Sequence, residues 1–152
     1  MNVNWNRWIV SSVNNHFRKE FGTKQIWFPN EERKENEQPN RYELALLGPD
    51  FNIISNDEVT MIIKMNILVI TEREKKEPFR HMDYVGLAQF AFKRCINIYK
   101  LGPYSDVDDN SVLQEMVIDS PISTTPFAIL EPLKTICRTT VEATYTANMR
   151  GS

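Results

Sequence analysis

Between Val59 and Ile70 the chain reads VTMIIKMNILVI, an unbroken β-pattern, and no other stretch constrains the fold as tightly. Alternate side chains of a strand leave opposite faces, so Val59, Met61, Ile63, Met65, Ile67 and Val69 share one face. The other face carries Thr60, Ile62, Lys64, Asn66, Leu68 and Ile70, a mixed rather than polar set. At about 3.3 Å per residue such a strand spans about 40 Å, roughly twice the length of an ordinary strand. A strand this long with no catalytic signature near it points to a sheet built for packing and assembly.

The 152 residues suit one domain, residues 1–149, able to bury about two thirds of the unfolded surface. A hydrophobic fraction of 41% and a charged fraction of 25% are those of a soluble globular chain. The net charge of −2 supplies no basic field for nucleic acid or an anionic membrane. Asn2, Asn4, Asn6 and Arg7 interrupt any signal-peptide core, and residues 59–70 are too short and too polar at Lys64 and Asn66 to cross a bilayer. Cys95 and Cys137 could bridge, but both fall on apolar faces of expected elements, which favours free buried thiols in a reducing compartment. Arg150-Gly151-Ser152 reads as a cloning remnant outside the fold.

From Asn4 to Phe21 the apolar residues Trp5, Trp8, Ile9, Val13, His16 and Phe17 follow helical spacing, with Asn4 as the expected N-cap and Gly22 as the C′ residue. Gln25 to Phe28 is a short strand ended by Pro29. NEERKENEQPN, from Asn30 to Asn40, has no apolar residue and reads as a solvated loop. Arg41 to Leu47 is a second strand, stopped by Gly48-Pro49, and Asp50 to Glu58 returns as an extended loop through Ser55-Asn56-Asp57 into the long strand, its antiparallel neighbour. Glu72 to Glu77 is a charged loop. Asp83 to Lys100 reads as a second helix, with Tyr84, Leu87, Ala88, Ala91, Cys95 and Ile98 on its deep face and Phe92, Ile96 and Tyr99 widening it. Asp83 at its start and Lys93, Arg94 and Lys100 towards its end match the helix dipole. Val112 to Ile118 is a strand, and prolines 121, 126 and 132 punctuate the connection that follows. The last strand alternates cleanly, Cys137, Thr139, Val141, Ala143, Tyr145 and Ala147 against Arg138, Thr140, Glu142, Thr144 and Thr146. The expected fold is therefore α+β, a mostly antiparallel sheet with a long hairpin, packed against an N-terminal and a central helix. Met61, Ile63, Met65 and Ile67 should lie under the second helix, against Leu87, Ala91 and Cys95.

Signatures of chemistry are sparse. There is no Walker loop, G-x-G-x-x-G, H-E-x-x-H, C-x-x-C or G-x-S-x-G. His16, beside Phe17 on the helical stripe, reads as a core-edge residue before a ligand, and His81 as a surface or capping residue. Asp106, Asp108 and Asp109 could hold a hard cation, yet an EF-hand loop starting at Asp106 would need Gly and Glu where Ser111 and Val117 stand. A solvated loop is the plainer reading. Arg18, Lys19 and Lys24 cluster near the end of the first helix, but Glu20 and Glu31 lie among or near them and no stacking aromatics interleave. The expectation is no enzyme, no metal and no cofactor.

Three stretches carry a resemblance: the strand Arg41-Tyr42-Glu43-Leu44-Ala45-Leu46-Leu47 running into Gly48-Pro49, the segment Asn66-Ile67-Leu68-Val69 before a charged linker and helix, and the closing Thr140-Val141-Glu142-Ala143-Thr144-Tyr145. With the order of elements, they resemble the tail terminator, or head–tail joining, proteins of tailed bacteriophages. The resemblance implies a homo-hexameric ring in the virion, assembled in the host cytoplasm, with the tail tube on one side and the head connector or closure proteins on the other. It carries over no catalytic residues. The expected contact surface is Glu31, Glu32, Arg33, Lys34 and Glu35 in the first polar segment, Asp50, Asn52 and Asp57 near the hairpin tip, and Arg73, Glu74, Lys75 and Lys76 in the second. Other readings are a different virion ring subunit (head closure, collar or tail-tube-like), a non-viral protein-binding module offering a sheet edge, or an enzyme whose carboxylates and hydroxyls converge without a motif.

Overall fold

A computed structural model describes residues 2–29, 38–100, 111–125 and 136–150. In chain order the elements are α1 (Trp5–Phe21), β1 (Ile26–Trp27), β2 (Arg41–Ser55), β3 (Glu58–Glu72), α2 (Arg80–Ala91), β4 (Cys95–Tyr99), β5 (Val112–Ile118), β6 (Ser123–Thr124) and β7 (Ile136–Arg150). Among the described residues the strands form one sheet in the order β1-β2-β3-β7-β5-β4, with β6 also beside β7. Every pairing is antiparallel except β1 with β2. The fold is α+β, as the alternation and helical spacing require.

The centre of the sheet is the long strand and the closing one. β3 and β7 pair in unbroken register from Glu58 opposite Arg150 to Glu72 opposite Ile136. Val59, Met61, Ile63, Met65, Ile67 and Val69 are all buried, and so are Thr139, Val141, Ala143, Tyr145, Ala147 and Met149 of β7. Both helices contribute to the same core, Trp5, Trp8, Ile9, Val13, Phe17 and Phe21 from α1 and Val85, Ala88 and Ala91 from α2. Rings knit the layers together. Phe21 meets Tyr42 of β2 at 4.2 Å between centroids, Tyr42 stacks on Tyr84 of α2 at 5.3 Å, and Phe17 meets Phe92 edge-on at 5.4 Å. The buried hydroxyls are used: Tyr42 donates to the Tyr84 carbonyl at 2.8 Å, and Tyr145 to the Lys93 carbonyl.

Four expectations change. First, β2 does not stop at Gly48-Pro49. It continues to Ser55 through a bulge, with Leu47 opposite Lys64 and Asp50 opposite Ile62, so Gly48 and Pro49 together face one residue of β3. Gly48 holds φ at 107°, and a Cβ there would lie 2.9 Å from the Asp50 nitrogen and 3.1 Å from the Ile62 carbonyl oxygen. A bulge is one place in a sheet where a proline is tolerated. The peptide bond between Gly48 and Pro49 is cis. The return to β3 is then a tight turn at Asn56-Asp57, not an extended loop, with Ser55 opposite Glu58.

Second, the central helix runs from Arg80 to Ala91, not from Asp83 to Lys100. Phe92 leaves helical geometry at φ −77°, ψ 90°, and Cys95–Tyr99 becomes β4. Ile96 and Ile98 are buried on one face of β4, and Ile96 lies opposite Met116 of β5. Isoleucines spaced by two fit a pleat better than a helix, because their χ1 is restricted against the preceding turn. Cys95 therefore belongs to a strand, Leu87 is only half-buried, and the helix packs through His81, Val85, Ala88 and Ala91.

Third, Asn4 makes no side-chain cap; its own N–H is bound by Asn2 Oδ1 at 2.9 Å. Gly22 does end the helix, at φ 59° with its N–H on the Arg18 carbonyl. Fourth, Cys95 and Cys137 are free thiols but half-buried rather than buried.

Candidate functional site

His81 is the most chemically suggestive residue in the structure, and it lies where the sequence does not place it. The first turn of α2 carries it inward, to 7% exposure, across the base of β3 and β7. Its Nδ1 is 2.8 Å from Thr71 Oγ1 and its Nε2 is 2.7 Å from Thr139 Oγ1. A neutral imidazole has one donor and one acceptor nitrogen, so one hydroxyl donates to the ring and the other accepts from it. Burial holds the ring below its ordinary pKa of 6.5, which keeps that neutral form. A hydroxyl bonded to an imidazole is also the geometry of an activated nucleophile. Here both hydroxyls are buried, at 1% and 3% exposure, out of reach of a substrate. The triad joins α2 to two strands and is a structural tie. No signal in the sequence marked it, since two threonines and a histidine at 71, 81 and 139 share no periodicity.

His16 sits at the core edge as expected, with its Nε2–H on the Ala91 carbonyl at 2.8 Å and its pKa lowered by burial. Among the described residues no group of three or more His, Cys, Asp or Glu side chains could hold a metal; Asp106, Asp108 and Asp109 lie outside them. A shallow cavity of about 410 Å³ opens between Lys24, Asn40, Glu77, Arg80, Asp83 and Tyr84. Most of its charges are already engaged: Arg80 pairs with Glu74 at 2.7 Å and with Glu77, and Lys24 Nζ lies 4.3 Å above the Tyr84 ring, leaving the Asp83 carboxylate. It offers little to a ligand.

The surface is more informative than any cleft. Asp50, Asn52 and Asp57 are exposed towards the tip of the β2–β3 hairpin. Arg73, Glu74, Lys75 and Lys76 are exposed just beyond the other end of β3. A strand of 15 residues separates them by roughly 45 Å, so the structure does not gather the expected contact residues into one patch. Glu31, Glu32, Arg33, Lys34 and Glu35 lie outside the described residues. Of the segment expected as a loop, Glu72 closes β3 opposite Ile136, and the rest is a loop held down by Arg80, which ties Glu74 and Glu77 to the start of α2.

Two exposed apolar groups were not anticipated. The first is on the hairpin, where Leu47, Ile53, Ile54 and Ile62 are exposed, Ile53 at 66%. Towards the tip Asp50, Asp57 and Glu58 accompany these apolar residues, and Arg150 of β7 stands opposite Glu58. The second is on α2, whose outward face carries Phe79 at the N-cap, Met82, Gly86 and Phe90, with Phe79 64% and Phe90 66% exposed. Their spacing, three, four and four residues, is that of one helix stripe. Beyond its end lie Lys93, whose Nζ sits 3.2 Å from the Phe90 ring centroid, and the exposed Arg94. Gly86 interrupts the stripe. A Cβ there would meet none of the described residues within 4 Å, and a glycine costs about 1 kcal/mol relative to alanine inside a helix. The expected helix, starting at Asp83, leaves out Phe79 and Met82, so the stripe was not visible before the helix start at Arg80 was known.

Between these groups the outer face of the sheet is mixed, with Thr140, Thr144 and Thr146 along β7, Lys64 paired with Glu142 at 3.1 Å, Ile70 buried, and Val117 and Ile136 exposed. No helix of the described residues is long and apolar enough to cross a membrane. No protein-family model matches the chain, and neither does any curated protein.

Proposed function

We propose that the chain is a structural subunit of a tailed phage, the terminator or neck protein that closes the tail tube and joins it to the head connector. One observation carries the reading: the described residues present two exposed apolar groups, one on the β2–β3 hairpin and one along a stripe of α2, at separate places on a sheet frame. Contiguous exposed apolar groups of this kind mark sites of association. Two different surfaces on one chain suit head-to-tail contact, which closes into a ring when the rotation closes. The β2–β3–β7 frame supports it, since strands of 15 residues paired along their length resist bending between one contact and the next. The order of long hairpin, helix and closing alternating strand agrees with the resemblance, and the partners it implies are further copies of the chain, the tail tube and the connector or closure proteins. A head-closure, collar or tail-tube-like ring subunit would use the same surfaces.

Electron microscopy of the purified protein and of particles made without it tests the reading. Six copies of a 17.8 kDa chain give a ring of about 107 kDa, and particles lacking it should carry unjoined or unterminated tails. Joined tails of normal length in its absence would overturn the assignment.

A further inference from the structure

We draw no further inference here: the strongest candidate, the exposed apolar stripe of Phe79, Met82 and Phe90 along the outward face of α2, carries nothing because nothing in the structure shows what covers it.

Discussion

Ile63 and His81 show how differently a buried position can be encoded. Ile63 is fully buried in the middle of β3, with Tyr145 opposite, and its place follows from alternation alone. Ile63→Asp would bury an unpaired carboxylate at a cost of several kcal/mol, so the expected product is insoluble. A soluble variant that unfolds cooperatively in urea would show that the face is not buried. His81 follows from no pattern, because what holds it is a pair of hydroxyls on two other strands. His81→Leu leaves Thr71 and Thr139 without the ring between them, and unsatisfied buried hydroxyls each cost about 1–3 kcal/mol. The expected loss of about 2 kcal/mol in urea unfolding is the measure of the tie; an unchanged midpoint would show that the triad contributes nothing.

At the scale of elements, two glycines make opposite predictions. Gly48→Ala forces a Cβ to 2.9 Å from the Asp50 nitrogen at a φ of 107°, and should destabilise by about 1–3 kcal/mol. Gly86→Ala meets none of the described residues and should stabilise by about 0.5–1 kcal/mol. Chemical denaturation of both variants, under conditions where the chain is monomeric, checks the pair; equal signs would contradict the geometry. The sequence showed α1, β3 and β7 because each keeps one period over its whole length. It failed between Ala91 and Tyr99, where Phe92, Cys95, Ile96, Ile98 and Tyr99 satisfy a helical face and a pleat at once and no Gly or Pro marks the change. It failed again at Gly48-Pro49, where the residues of a strand stop serve as a bulge. The contact surface was half legible. Charge runs stood out, but the exposure of Phe79, Phe90 and Ile53 followed only from the bounds of α2 and the hairpin, which the sequence left open.

For the whole molecule the two histidines set a direction for stability against pH. Both rings are held below 6.5 by burial, so below about that value the unfolded chain binds protons that the folded chain resists. Their contribution is present in full above about pH 6.5 and is lost as pH falls through it towards the lowered folded values. The thermal midpoint should therefore fall between about pH 7.5 and 5.5, above the range where most carboxylates protonate. In His81→Leu the midpoint should be lower throughout but decline less steeply. A steeper or unchanged decline would show that the ring is charged in the folded state.

The bulge at Gly48-Pro49 also divides β2 into two reading frames. Tyr42, Leu44 and Leu46 lie opposite Val69, Ile67 and Met65, so even-numbered positions face the core before it. After it Phe51 and Ile53 lie opposite Met61 and Val59, so odd-numbered positions take that side, with Phe51 half-buried and Ile53 exposed where the strand runs past the core. A scan of every substitution along the strand should show tolerance changing parity at Gly48, with residues 42, 44 and 46 resisting change and then Phe51 resisting it while Asp50 and Asn52 accept it. The frame shift lets one continuous strand keep an apolar base and turn its acidic residues outwards at the far end. The hairpin's surface chemistry can therefore vary without disturbing the register that the core depends on.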